Sequence, residues 1–218
     1  MGKTMHNPIF SENYLKWYYD SNIWTTTTFM GINCFKSVSD MWNYQEILYS
    51  LRPSLVVEGG TANGGSTLYF SFILRSINTD SKVISIDINH DNVAEQVKNE
   101  KHIELLNCKF TDDKVISRIK KLRMVFQGPI FVILDDDHTK KNVLEEMEIL
   151  RDILVKGDYL IVEDGIVNGN PVLPGWGEGQ LEAIEDYFIR YPYDYTIDTA
   201  REHKFGFTFA PKGFLIRN

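Results

Sequence analysis

Residues 55–66 read Leu55-Val56-Val57-Glu58-Gly59-Gly60-Thr61-Ala62-Asn63-Gly64-Gly65-Ser66. A short β-branched run passes through an acid into paired glycines, and a helix-period segment over 66–77 follows at once. Strand, glycine loop and helix in that order open a parallel α/β sheet. The glycines allow a sharp turn and a close approach of backbone to a ligand, and the helix start offers unpaired N–H groups. Glycine loops also serve plain turn geometry. The dinucleotide pattern G-x-G-x-x-G fits this loop poorly. An acid ending the strand suits a ligand with a cationic amino group and hydroxyls better than a pyrophosphate.

Outward from this loop the chain alternates. Val83-Ile84-Ser85-Ile86, Ile103-Glu104-Leu105-Leu106, Ile130-Phe131-Val132-Ile133-Leu134 and Tyr159-Leu160-Ile161-Val162 read as buried strands. Helical segments are expected over 113–122 and 139–155, and one over 40–51 precedes the first strand, capped by Asp40 and ended by Arg52-Pro53. This is one mostly parallel sheet with helices on both faces. In the last third, Tyr195-Thr196-Ile197, residues 205–209 and Phe214-Leu215-Ile216 are expected to be strands without helices between them. The turn Pro211-Lys212-Gly213 predicts an antiparallel hairpin at a sheet edge. Residues 1–50 form an N-terminal lid or helical segment with an irregular start, and 51–218 the single domain. The aromatic side chains Tyr14, Trp17, Tyr18, Tyr19 and Trp24 are placed to lid a pocket or to pack on the sheet.

Acids mark the strand ends. Asp87 closes the second strand, where a carboxylate can hold the ribose hydroxyls of a nucleoside. The fourth strand ends in Asp135-Asp136-Asp137-His138 and the fifth in Glu163-Asp164-Gly165. In a parallel sheet both clusters reach the same carboxyl-edge crevice. So many carboxylates repel unless a cation lies between them, and Mg²⁺ suits a few carboxylates with water and substrate oxygens. Such a metal would lower the pKa of a substrate hydroxyl, with Asp or His near to take the proton. An Asp of the 135–137 run also suits the cap of the next helix.

Composition narrows the classes. The 218 residues are 43% hydrophobic and 13% aromatic, enough for a sizeable core. A net charge of −7 without a basic run argues against nucleic acid as the partner. No stretch approaches the roughly 18 apolar residues of a membrane span. The start lacks the apolar core of a signal peptide, and Met1-Gly2 with His6 is a poor myristoylation signal. With Cys34 and Cys108 read as reduced packing thiols, the expected location is cytoplasmic, with room for a homo-oligomer.

Several stretches together resemble the cephalosporin hydroxylase family, a branch of the class I S-adenosylmethionine methyltransferases that includes rhamnosyl O-methyltransferases. They are residues 24–31, Lys36 with Asp40-Met41-Trp42-Asn43-Tyr44-Gln45-Glu46, the loop after Glu58, Leu134 to His138, and Val162-Glu163-Asp164-Gly165. Asn168-Gly169-Asn170-Pro171-Val172 and Ala210-Pro211-Lys212-Gly213-Phe214-Leu215 complete the set. The resemblance implies a Rossmann-like seven-stranded sheet and Mg²⁺-dependent methyl transfer from S-adenosylmethionine to a hydroxyl of a sugar or natural-product acceptor. It implies cofactor contacts from Glu58, Gly59, Gly60, Thr61, Gly65, Ser66 and Asp87, with Asp135 beside them. Glu163 and Asp164 would hold the metal with Asp135 or Asp137, which stand 28 and 26 residues before Glu163. The other of the pair, with His138 as a second candidate, would take the proton. Two departures stand out: Asp136 replaces a small residue, and Gly175-Trp176-Gly177-Glu178-Gly179-Gln180 replaces a Gly-Pro-rich turn. No flavin, haem or non-haem iron signature supports a hydroxylase. The competing readings are a nicotinamide-dependent oxidoreductase, disfavoured by the glycine spacing and the second acid cluster, and a cofactor-holding accessory subunit.

Overall fold

A computed structural model describes residues 8–77 and 80–218; the amino-terminal residues on which the myristoylation reading rests lie outside them. Helix α1 (Pro8–Asp20) and a 3₁₀ turn (Ile23–Thr26) precede a small ribbon, β1 (Thr28–Phe29) with β2 (Ile32–Asn33), and α2 (Val38–Leu51). The alternating part follows: β3 (Leu55–Gly59), α3 (Gly65–Ile77), β4 (Lys82–Asp87), α4 (Glu95–Lys98), β5 (Ile103–Asn107), α5 (Asp113–Val125), β6 (Ile130–Leu134), α6 (Lys140–Arg151) and β7 (Tyr159–Val162). It closes with α7 (Gln180–Arg190), β8 (Tyr195–Ile197), α8 (Thr199–Glu202) and β9 (Phe214–Arg217).

Seven strands form one sheet in the order β5-β4-β3-β6-β7-β9-β8, the first five parallel and β9 antiparallel to both its neighbours. Successive strand residues face opposite sides. Val57, Ile84, Val132, Leu134 and Leu160 pack with Val115 and Ile119 of α5, Met147 of α6 and Ile184 of α7. Val56, Val83, Phe131, Ile133 and Ile161 pack with Tyr44 and Leu48 of α2 and Leu68 and Phe70 of α3. A third, smaller cluster joins Leu15 and Tyr18 of α1 to Ile166, Val172 and Phe209.

The five parallel strands, the two-sided helical cover and the antiparallel edge pair match the sequence expectation. Some details differ, among them the helix expected over 139–155, which ends at Arg151. The start is helical rather than irregular, because α1 docks Leu15 and Tyr18 on the loops after β7. Residues 205–209 are not a strand: Phe207 and Phe209 turn into the aromatic side chains of α1, and the edge pair is β8 with β9, with the helix α8 between them where none was expected. Asp40 is not the cap of α2, since Ser37 occupies that position; Asp40 is buried in the first turn, where Oδ2 accepts the Phe209 N–H at 2.8 Å.

Candidate active site

Register lines up the strand tips. Gly59 is level with both Ile86 and Leu134, and Leu134 with Val162. The next residues therefore stand in a row, closed by Gly60 N to Ile86 O at 2.8 Å, Asp135 N to Gly59 O at 3.0 Å and Glu163 N to Leu134 O at 3.1 Å. Gly60 is obligatory in this row: its φ is +92° and a Cβ would meet the Asp135 carbonyl oxygen at 2.0 Å.

A cavity of about 520 Å³ opens over these tips. Gly60, Ala62, Asp87, Ile88 and Phe110 line one end; Asp135, Asp136, Asp137, His138, Asn142 and Asp164 line the floor and far side; Trp24 and Phe35 close it from the amino-terminal segment. Five carboxylates face one space whose only lysine or arginine among the described residues is Lys109.

At the glycine end, Asp87 Oδ2 accepts the backbone N–H groups of Thr61 and Ala62 at 3.0 and 3.1 Å, and Oδ1 that of Asn89 at 3.1 Å. Each carboxylate oxygen has a further lone pair for a ligand hydroxyl. Of the expected cofactor contacts, Gly60, Asp87 and Asp135 reach the cavity wall, while Gly59, Thr61, Gly65 and Ser66 shape the loop behind it. Glu58 lies behind the cavity wall. It is fully buried, and its Oε2 accepts from Thr67 Oγ1 at 2.5 Å and Ser85 Oγ at 2.7 Å, which ties β3 to α3 and β4, while its Oε1 has no donor among the described residues. Burial raises its pKa.

At the acidic end the expected ligands separate into two groups. Asp135, His138 and Asp164 each place a ligand atom within 4.8 Å of the others, and His138 Nε2 lies 3.6 Å from Asp164 Oδ2. Asp164 reaches this cluster because its φ of +57° turns it off the strand. Burial, opposed by His138, raises its pKa to about 6. The Gln180 side-chain amide abuts His138 Nδ1.

Glu163 stands outside this triad. Its Oε2 takes Lys36 Nζ at 2.7 Å and its Oε1 takes the Tyr44 hydroxyl at 2.5 Å. Lys36, 2% exposed, also reaches Asp135 Oδ2 at 2.6 Å. Burial depresses the Lys36 ammonium, but Asp135, Glu163 and Glu58 outweigh it and hold the pKa well above the ordinary lysine value. Burial carries Glu163 up to about 7 against the pull of Lys36, and raises Asp135 likewise. Asp137 also lies apart from the triad: it is exposed and its Oδ1 accepts the Thr139 N–H at 3.0 Å, a local turn before α6. Asp136, at the border of the cavity, lies against Glu146 of α6. Lys36 and Glu146 were not among the expected site residues.

A sheet of this order, with an acid at the tip of β4 and a carboxylate-walled cavity over the crevice, defines a class I methyltransferase fold. Solved structures share it: CmcI with Mg and SAM (TM-score 0.71, 22% identical, covering 89% of this chain and 77% of that one) and an O-methyltransferase from Bacillus cereus in complex with SAH (TM-score 0.55, 12% identical, covering 100% and 93%). The chain belongs to the Rhamnosyl O-methyltransferase/CmcI family, whose model matches residues 21–218. It is 51% identical over 208 residues to a rhamnosyl O-methyltransferase of Mycobacterium tuberculosis (95% of this chain, 85% of the relative) and 50% over 207 residues to that of Mycobacterium leprae (95% and 90%). This membership sets aside the nicotinamide alternative. Among the described residues no helix is long and apolar enough to cross a membrane.

Proposed function

We propose that this chain transfers the methyl group of S-adenosylmethionine to a hydroxyl of a glycoside, a rhamnosyl residue being the first acceptor to test, at a site that uses Mg²⁺. The observation that carries this reading is the single cavity in which Asp87 and the Gly60 turn stand at one end and the triad Asp135, His138 and Asp164 at the other. The names of the mycobacterial relatives support the acceptor class.

The residues fit both groups. A cavity walled by five carboxylates suits a cationic sulfonium and its amino group, and Asp87 is placed for ribose hydroxyls. The triad offers the oxygen-rich donor set of a hard divalent cation, with one imidazole. With its carbonyl end toward His138, Gln180 would accept Nδ1–H, leave Nε2 for the cation and satisfy an Oε1 atom that otherwise has no donor. When bound, Mg²⁺ would supply Lewis-acid polarisation of the acceptor hydroxyl. Trp24 and Phe35 give the acceptor an apolar wall and exclude water, the lid role of the amino-terminal segment. In the transfer, the acceptor oxygen bonds the methyl carbon as the carbon–sulfur bond breaks. Asp137, free of both the triad and Glu146, takes the hydroxyl proton.

The test is calorimetry with S-adenosylmethionine, with and without Mg²⁺ and with NADH as control, followed by S-adenosylhomocysteine release on rhamnosides and other glycosides. Donor binding, transfer, and loss of Mg²⁺ binding in Asp164→Asn together with His138→Ala are expected. No donor binding under any metal condition would overturn the reading.

A further inference from the structure

Between β7 and α7 the chain puts out a short tongue. Its residues, Leu173-Pro174-Gly175-Trp176-Gly177-Glu178, are all exposed, while Val172 before them and Gly179 and Gln180 after them are buried. One root is tied to the cavity wall: Lys140 N donates to Glu178 O at 3.0 Å, and a Cβ on Gly179 would stand 3.2 Å from the carbonyl oxygen of His138, which lines the cavity. At the other root Val172 N donates to Ile166 O at 3.0 Å, and Asn168 Oδ1 accepts the Gly177 N–H at 3.2 Å. The tongue closes on itself through Trp176 N to Leu173 O at 3.1 Å, with Gly175 and Gly177 in left-handed conformations on either side of the tryptophan. The polar side chains here are already engaged by the chain. Glu178 holds Lys140 Nζ at 3.2 Å from both carboxylate oxygens, and Asn168 Nδ2 donates to Glu182 Oε1 at 3.0 Å. The apolar ones are not covered: Trp176 is 55% exposed and Leu173 38%.

We propose that Trp176 is a specificity-determining residue for the acceptor: with Leu173 it receives the flat apolar group that the reacting sugar carries. The proposal deepens the reading of the site as a glycoside methyltransferase and rests on it. A cavity of about 520 Å³ is the size that one drug-sized ligand fills. With the methyl donor inside, there is room for the reacting ring, and whatever that ring is attached to must leave across the rim. Trp176 does not line the cavity, but its tongue is rooted at the rim beside His138, so it is placed to meet the acceptor beyond the reacting ring. A second sugar there would need partners for its hydroxyls, and the polar side chains at the tongue are occupied. An aryl group needs none, and offset stacking on an indole adds to the gain from burial. Because the turn is closed before the acceptor arrives, little ordering opposes binding. A tryptophan that only shielded the turn would respond to no change of acceptor.

The experiment compares the whole wild-type chain with Trp176→Ala and Trp176→Phe. S-adenosylhomocysteine release is measured with phenyl rhamnoside, methyl rhamnoside and a rhamnose-terminated methyl disaccharide, with donor affinity by calorimetry and Tm alongside. The wild type is expected to favour the phenyl over the methyl glycoside about tenfold in kcat/KM, with the difference in KM. Trp176→Ala is expected to reduce that preference to about twofold or less, and Trp176→Phe, which keeps an aromatic face, to retain most of it. Donor affinity and Tm should stay the same in all three proteins, since the side chain is exposed and outside the cavity. A wild type without preference for the phenyl group, a preference that survives Trp176→Ala, or a loss carried by kcat alone would overturn the proposal. So would a preference for the disaccharide that Trp176→Ala abolishes while the phenyl preference stands, because the tongue would then hold a sugar. If the wild type methylates no glycoside, the reading of the activity falls and the proposal with it. If it does and Trp176→Ala treats the phenyl and methyl glycosides as the wild type does, only the proposal falls.

Discussion

Replacing Glu146 by glutamine should make the protein more stable, and increasingly so as pH rises. Glu146 is 0% exposed on the inner side of α6, where its Oε1 accepts from Asn142 Nδ2 at 2.8 Å. Its Oε2 has no donor, and neither does Oδ1 of the neighbouring Asp136. A proton on Glu146 satisfies both atoms, and burial followed by the Asp136 charge pushes its pKa from the ordinary 4.5 up to about 10. The sign follows from linkage. As pH rises the unfolded chain loses this proton near 4.5, whereas the folded chain keeps it to about 10. Between those values folding must take up a proton, and stability falls by about 1.4 kcal/mol per pH unit from this group. At pH 7 the deficit is about 3 kcal/mol. Glutamine removes the titration while keeping the contacts: its amide N–H₂ donates to Asp136 and its carbonyl accepts from Asn142. Glu146→Gln should therefore match wild type below about pH 4.5 and gain about 3 kcal/mol at pH 7, roughly 6 to 12 °C in Tm for a domain of this size. Urea denaturation of both proteins at pH 5, 6, 7 and 8 measures it. A gain that does not grow with pH, or a loss, refutes a protonated Glu146.

Three further outcomes test other parts of the molecule. Gly60→Ala places a Cβ 2.0 Å from the Asp135 carbonyl at a φ of +92°, so it should cost about 2 to 4 kcal/mol and weaken donor binding, read by thermal melting and calorimetry. Asp158, 1% exposed, accepts from Arg123 Nη1 and the Ile130 N–H at 2.8 Å and from the Val155 N–H at 2.7 Å. Asp158→Ala should cost about 3 to 5 kcal/mol by denaturation while leaving the cavity chemistry unchanged. Burial, against His138, puts the Asp164 pKa at about 6, and a protonated carboxyl is a poor ligand, so Mg²⁺ affinity should fall as pH drops through 6. Titrations at pH 5, 6 and 7 that give one affinity would remove Asp164 from the metal site.

The strands and their acidic tips were legible because a doubly covered parallel strand is apolar throughout and its end is where polarity begins. What the sequence did not display was which face each tip residue takes, although the period of two carries it. Val56 and Ile161 face the α2 and α3 side, so Glu58 and Glu163, two residues on, are carried under those helices. There they meet Thr67 and Tyr44, and not the open crevice. Ile133 faces the same way, which sends Asp135 to Lys36, whereas Leu134 faces α6, which sends Asp136 to Glu146. Asp164 escapes the alternation through its left-handed φ, a backbone turn that no residue type announces at an aspartate. Helix α1 lacked a stripe because Ile9, Phe10 and Trp17 lie exposed while Leu15 and Tyr18 are buried. The most consequential omission is of another kind. Lys36 lies 99 residues from Asp135 and 127 from Glu163, so no local spacing encodes the contact. The acidic clusters demanded a countercharge, and electrostatics alone made a bound metal its only source; the fold shows that the chain supplies part of that charge itself.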